Sequence, residues 1–144
     1  MNDDITDLLG KTLSNVQILE NPIGENVILF TVNNHEQYIL YHIQECCESV
    51  TIEDICGDID DLINSPILMA EERTNPTEDH PNESNHEHEK KWTFYKLATI
   101  KGTVTIRWYG ESNGYYSISV CWTKITNETK YIIKNFYERI QTII

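Results

Sequence analysis

The stretch HIQECCESVTIEDICGDIDD, residues 42–61, concentrates more potential chemistry than any other part of the chain. It contains one histidine, three of the four cysteines and a high density of carboxylates, and it begins where a β-strand pattern ends. Thiolate sulfur and neutral imidazole nitrogen are ligands that zinc prefers, usually four of them in a tetrahedron. The sequence therefore predicts a metal site in this stretch.

The predicted zinc ligands are His42, Cys46, Cys47 and Cys56. His42 and Cys46 are close enough to chelate from a strand end and the turn after it, and Cys56 returns if the intervening segment folds back. The Cys46-Cys47 pair is the weak point, since neighbouring residues seldom bind one ion together. One of the two is then structural, and Cys121 or an aspartate replaces it. The competing interpretation is that the cysteines are buried apolar residues and His42 is a hydrogen-bonded core residue.

A closed site with four protein ligands is structural, and its binding energy contributes to folding. An open site with three ligands and a water is typical of hydrolytic enzymes. No carboxylate in the stretch is marked out as a general base, and the chain has no GxSxG motif and no glycine-rich phosphate loop. The sequence therefore favours a structural zinc ion and a protein that is not an enzyme.

The charge of the chain is strongly negative and unevenly distributed. The net charge is −12, and residues 1–72 contain fifteen acidic residues against one basic residue, Lys11. Nucleic-acid binding needs lysine and arginine for phosphate contacts, so this composition disfavours DNA or RNA as a direct ligand. It favours a basic protein partner, or it serves solubility alone.

The length and composition predict a single domain over residues 1–144. The first residues, MNDDITDLLG, lack the basic start and the apolar run of a signal peptide, and no apolar run approaches the ~20 residues of a membrane span. We therefore expect a cytoplasmic protein with reduced thiols and no membrane partner. The sequence makes no prediction of its oligomeric state.

The hydrophobic pattern predicts an α+β fold of about six to seven antiparallel strands in meanders, packed by a C-terminal amphipathic helix. Alternating and β-branched runs predict a first meander in residues 14–43 and a second in residues 91–122. A short helix is expected up to Leu9, and another after Asp58 as N-cap. Apolar residues at helical spacing from Ile132 to Ile144 predict the C-terminal helix. Without this helix, one face of the sheet would stay uncovered.

Residues 73–90, RTNPTEDHPNESNHEHEK, interrupt this pattern. They contain two prolines and mostly polar residues, without apolar periodicity, which is typical of a long exposed and flexible loop. Neither flank is self-sufficient, so an insertion is predicted here and not a domain boundary. The histidines of this loop are interpreted as adventitious metal ligands.

Two segments carry a resemblance to a known family. They are YHIQECCESVTIEDICGDIDDLINSPILMAEE, residues 41–72, and WTFYKLATIKGTVTIRWYGESNGYYSISV, residues 92–120. They resemble a small domain of unknown function carried by bacteriophages and prophages, and the match covers most of the chain between Leu8 and Val120. The resemblance implies a phage origin, and it brings no catalytic role that can be carried over to this chain.

A small, acidic, phage-encoded protein without an enzymatic motif is similar to inhibitors of host defence systems, of which type II anti-CRISPR proteins are an example. We therefore expect a zinc-binding inhibitor that binds a basic host protein, a Cas9-type nuclease, and blocks guide or target loading or cleavage. The alternatives are a metal-dependent phage enzyme with an open zinc site and a phage structural or regulatory module.

Overall fold

The computed structural model describes residues 4–76 and 89–138, which form two four-stranded antiparallel sheets. Sheet I contains β1 (Leu13–Glu20), β2 (Asn26–Val32), β3 (Glu36–Tyr41) and β8 (Cys121–Lys124), in that order across the sheet. Sheet II contains β4 (Ser49–Cys56), β5 (Met69–Pro76), β6 (Glu89–Thr99) and β7 (Gly102–Ser112), in the order β4-β7-β6-β5. Two 3₁₀-helices, Ile5–Leu8 and Ile59–Leu62, and one helix, α1 (Tyr131–Glu138), complete the described elements.

The inner faces of the two sheets share one hydrophobic core. Phe30 and Leu40 of sheet I pack in the same buried cluster as Tyr95, Ile106 and Trp108 of sheet II. From Thr93 on β6 and from Val104 on β7, every second residue is buried, because successive side chains of a strand point to opposite faces. The alternation therefore defines an inner face that builds the core and an outer face on each sheet.

Strand β2 is buried on both of its faces. Ile28 and Phe30 belong to the core between the sheets, whereas Val27 and Leu29 contact a second cluster that contains Ile132 and Phe136 of α1. A strand covered on both faces has an uninterrupted apolar run, and the sequence NVILFTV meets that requirement. Helix α1 therefore covers the outer face of sheet I.

The first meander, the C-terminal helix and its role in covering a sheet face are confirmed. Asp58 is also the N-cap of the second 3₁₀-helix, where its carboxylate accepts from the Asp60 N–H. The described strands number eight, slightly more than the six to seven expected, and the N-terminal helix is a single 3₁₀ turn capped by Asp4. The predicted helical residues 139–144 lie outside the described part of the chain.

The prediction of a strand over residues 115–122 is wrong for most of that range. Only Cys121 onward is a strand, and it pairs with β3 of sheet I instead of returning beside β7. Residues 113–120 carry the chain from one sheet to the other. Ile118 packs directly over Gly110, where a Cβ would lie 2.8 Å from the Ile118 Cβ, so the glycine makes room for the crossing.

The strands β5 and β6 extend into both ends of the predicted loop 73–90, since β5 ends at Pro76 and β6 begins at Glu89. Residues 73–75 and 89–90 are polar or charged and exposed, so apolar alternation gives no signal at these strand ends. Residues 77–88 lie outside the described residues. In the described part of the chain, no helix is long and apolar enough to cross a membrane.

Candidate functional site

The seven residues 42–48 connect β3 of sheet I to β4 of sheet II. His42 follows the end of β3, Glu48 precedes the start of β4, and both side chains are buried. The His42 Nε2 atom lies 2.8 Å from the Glu48 Oε2 atom. The predicted stretch therefore contains a buried contact between a histidine and a carboxylate.

The Glu48 carboxylate is held by hydrogen bonds from its own loop. The backbone N–H groups of Glu45 and Cys46 donate to its two oxygens at 2.9 Å each, and the Gln44 side chain donates to Oε1 at 3.3 Å. Burial raises the pKa of Glu48, but the Cys46 and Glu45 N–H groups together with His42 outweigh it and lower the pKa to about 2. Glu48 is therefore an ionised acceptor.

His42 joins the two connections between the sheets. Its Nδ1 atom lies 2.7 Å from the carbonyl oxygen of Ser119, in the crossing segment 113–120. The Ser119 carbonyl oxygen and the ionised Glu48 carboxylate are both hydrogen-bond acceptors, so each ring nitrogen of His42 faces an acceptor. The buried His42–Glu48 pair therefore ties residues 42–48 to residues 113–120.

The four predicted zinc ligands do not come together in the structure. Both ring nitrogens of His42 are engaged with oxygen atoms, those of Ser119 and Glu48. The sulfur atoms of Cys46 and Cys47 are joined in a disulfide on the exposed side of the loop, whereas reduced thiols were expected. Cys56 is a free cysteine at the far end of β4.

The strand β4 explains this separation. It extends from Ser49 to Cys56, so its ends lie roughly 23 Å apart at a rise of about 3.3 Å per residue. Cys46 and Cys56 can therefore reach one ion only if β4 unfolds. The other residue considered, Cys121, lies opposite Tyr41 on β8, where burial raises the pKa of its thiol. Among residues 4–76 and 89–138, no three His, Cys, Asp or Glu side chains are grouped to hold a metal ion.

The acidic residues of the stretch occupy a different place from its histidine and cysteines. Glu53, Asp54, Asp58 and Asp60 are all exposed along edge strand β4 and the turn that follows it, and we call this set the acidic ridge. Glu53 pairs with Arg107, with 2.7 Å between Oε1 and Nε. The other three make no ion pair with any described residue.

The partners of Glu53 were not predicted from the sequence. Besides the contact with Arg107, the Trp92 Nε1–H donates to Glu53 at 3.3 Å. A bulge between Ile52 and Asp54 places Glu53 beside β7 and β6, and this shift of register has no sequence signature in a run of alternating residues. Within the acidic ridge, Glu53 is therefore held by two partners, whereas Asp54, Asp58 and Asp60 make no ion pair with a described residue.

Comparison with known proteins gives one match. Residues 6–122 match the model of a family described as a domain of unknown function, DUF7448. No curated protein and no solved structure matches the chain. The matched residues contain both sheets up to Trp122, the crossover 42–48 and the acidic ridge. This chain therefore belongs to the DUF7448 family of domains of unknown function.

Proposed function

We propose that this protein acts by binding a basic protein partner through the acidic ridge, as an inhibitor and not as an enzyme. The observation that supports the proposal is the ridge itself. Three of its four carboxylates, those of Asp54, Asp58 and Asp60, are exposed and make no ion pair within the described residues. Exposed like charges on one edge attract a surface of opposite charge and accelerate its association.

A nuclease that holds nucleic acid offers such a surface, because its binding channel is lined with lysine and arginine. The resemblance of residues 41–72 and 92–120 to a phage-carried domain supports a phage origin. The proposed partner is accordingly a Cas9-type nuclease in the cytoplasm of a bacterial host. The acidic ridge would occupy part of the channel that receives guide or target and would need no direct nucleic-acid contact.

Zinc is not required by this proposal. The residues predicted to bind it are separated by β4, and the buried His42–Glu48 pair already fastens the connection that the metal was expected to fasten. A structural zinc ion remains a prediction. Stoichiometric zinc in protein purified without added metal would support it, and the absence of zinc from folded protein would contradict it.

The experiment is a DNA-cleavage assay with Cas9 and increasing amounts of the protein. We expect cleavage to fall with protein concentration, and inhibition to weaken as salt rises, because the attraction of exposed charges is screened over ~10 Å at 0.1 M salt. A double variant, Asp54→Asn with Asp60→Asn, should require at least about tenfold more protein, since charge pairs at interfaces contribute about 1.5 kcal/mol or more each.

The control variant is Glu20→Gln with Glu128→Gln, which removes the same charge from exposed positions outside the ridge. It should inhibit as the unmodified protein does. Equal loss in both double variants would show that net charge acts without a defined surface. Unchanged cleavage across the Cas9 types tried would contradict the proposed partner.

A further inference from the structure

The outer face of sheet II contains a groove of about 580 Å³. Strands β5, β6 and β7 line it, and its side chains include Arg73, Phe94, Lys96 and Thr105. The strand order β4-β7-β6-β5 places the groove on the β5 side, away from the acidic ridge on β4. The groove is therefore separate from the surface proposed for the basic partner.

The strand register arranges these side chains in two rows. Arg73 lies opposite Phe94 across the β5–β6 pair, and Glu71 lies opposite Lys96. Across the β6–β7 pair, Lys96 lies opposite Thr105. An aromatic ring that is still partly exposed is thus bordered by a guanidinium, an ammonium and a carboxylate.

The two cations of the groove make no ion pair within the described residues, although the whole chain has twenty-three acidic residues against eleven basic ones. Another cation of this face, Arg107, is already paired with Glu53. Glu71 lines the same groove but comes within 4.0 Å of neither cation. Arg73 and Lys96 are therefore available to an anionic ligand.

The chemistry of the groove matches a small organic anion with a planar ring. A guanidinium offers a fork of donors that fits phosphate or carboxylate oxygens, and an ammonium adds a second charge. The Phe94 ring offers a stacking surface, and the Glu71 carboxylate accepts hydrogen bonds from ligand hydroxyl groups. The volume lies within the range of roughly 300–1,000 Å³ that is typical of small-molecule sites.

We infer that this groove binds a nucleoside monophosphate. The phosphate contacts Arg73 and Lys96, the base stacks on Phe94, and Glu71 accepts from the ribose hydroxyls. The two cations match the charge of the phosphate, the aromatic ring matches the base, and the carboxylate matches the ribose hydroxyls. The inference is independent of the proposed partner, because the groove and the ridge share no residue.

Isothermal titration calorimetry on the full chain tests the site with three probes: adenosine monophosphate, ribose 5-phosphate and inorganic phosphate. We expect adenosine monophosphate to bind most tightly and phosphate most weakly. Arg73→Gln and Lys96→Gln should each weaken adenosine monophosphate binding by about tenfold or more, the usual effect of losing a hydrogen bond to a charged group. Lys130→Gln, which removes an exposed cation elsewhere, should leave binding unchanged.

The ring contact is tested by Phe94→Leu and Phe94→Tyr. The leucine variant should bind adenosine monophosphate no better than ribose 5-phosphate, whereas the tyrosine variant, which keeps a ring, should bind as the unmodified protein does. Circular dichroism of both variants checks that the fold is intact.

Three results would overturn the inference. The first is no binding of any probe in the millimolar range. The second is equal affinity for phosphate and adenosine monophosphate, which would indicate a general anion site. The third is much tighter binding of a single-stranded oligonucleotide that depends on the same residues.

Discussion

The outer faces of the two sheets differ in chemistry and in what covers them. Val27, Leu29 and Ile39 make the outer face of sheet I apolar, and Ile132 and Phe136 of α1 bury it. On sheet II the outer face combines aromatic rings with charged side chains, and no described helix covers it. The aromatic residues include Trp92, Phe94 and Tyr109, and the cations include Arg73, Lys96 and Arg107.

The covered outer face of sheet I contributes to stability, whereas the uncovered outer face of sheet II is open to a ligand. An apolar face left in water costs about 25 cal/mol per Å², so sheet I requires its helix. On sheet II, Trp92 and Tyr109 shield each other with ring centroids 5.0 Å apart, and the charged residues keep the rest hydrated. This face therefore remains stable in water and accessible to a ligand.

Among the variants that test the difference between the two outer faces, Phe136→Ala should have the largest effect on stability. The Phe136 side chain is 3 % exposed and packs between α1 and sheet I. Removing it should lower the free energy of unfolding by about 3–5 kcal/mol, because it leaves a cavity and exposes β2. Urea denaturation measures the change.

The control is Tyr137→Ala, on the same helix at 50 % exposure. It should cost less than about 1 kcal/mol, as surface substitutions usually do. Equal losses in the two variants would mean that α1 does not cover the sheet.

Acid should weaken the connection between the sheets through Glu48. Its pKa is lowered from 4.5 to about 2 in the folded protein, so its contribution is complete above pH ~4.5 and disappears as the pH falls through about 2. The shift corresponds to about 3 kcal/mol. Denaturation between pH 6 and 2 measures it.

Glu48→Gln should remove this pH dependence and also destabilise the protein near neutral pH, because an amide has one oxygen to accept the buried hydrogen bonds that the two carboxylate oxygens now share among His42 and the Glu45 and Cys46 N–H groups. Glu20→Gln, an exposed control, should keep the full acid loss. A Glu48→Gln variant that loses stability in acid as steeply as the control would refute this role.

Phe94→Ala should cost only about 1 kcal/mol, far less than Phe136→Ala, because the Phe94 ring is partly in water before the change. Thermal unfolding followed by circular dichroism gives the comparison. A loss as large as that of Phe136→Ala would show that the outer face of sheet II is also a covered core.

The smallest effect is expected from the Arg107–Glu53 pair. Both side chains are more than a third exposed, and exposed ion pairs typically contribute 0.2–1 kcal/mol. A double-mutant cycle with Arg107→Gln and Glu53→Gln measures the coupling, which should decline in high salt. A salt-independent coupling well above that range would contradict an exposed pair.

Much of the fold was predictable because its signals are local. The uninterrupted run of β2, the cap at Asp58 and the helical spacing of Ile132 and Phe136 each follow from neighbouring residues. The strand segments that the sequence did not predict are the ends of β5 and β6 within residues 73–90. Their residues are mostly polar, so they show no apolar alternation. The strand predicted over residues 115–122 is too long because alternation alone does not identify the neighbouring strand. Residues 113–120 cross between the sheets, and only the residues from Cys121 onward pair with β3.

The candidate site was predictable in its residue types and not in its arrangement. His42 and three cysteines predicted a shared metal ion because they lie close together in the sequence, within residues 42–56. In the fold, β4 extends between Cys46 and Cys56 and keeps these two residues apart. Glu48, whose carboxylate contacts His42, was interpreted only as one acidic residue among many. A carboxylate six residues after a buried histidine gives no signal unless the turn between them is known.

The sequence by itself determined the strand segments of the first meander, the apolar run of β2, the acidic character of residues 53–60 and the amphipathic C-terminal helix. These depend on the order of side chains along a few turns or strands. Only the tertiary structure decided that the chain builds two sheets, that His42 pairs with Glu48 and Ser119, and that Arg73, Phe94 and Lys96 meet in one groove. Each of these depends on strand register and on crossings between sheets, which bring together residues far apart in the chain, such as His42 and Ser119 at 77 positions.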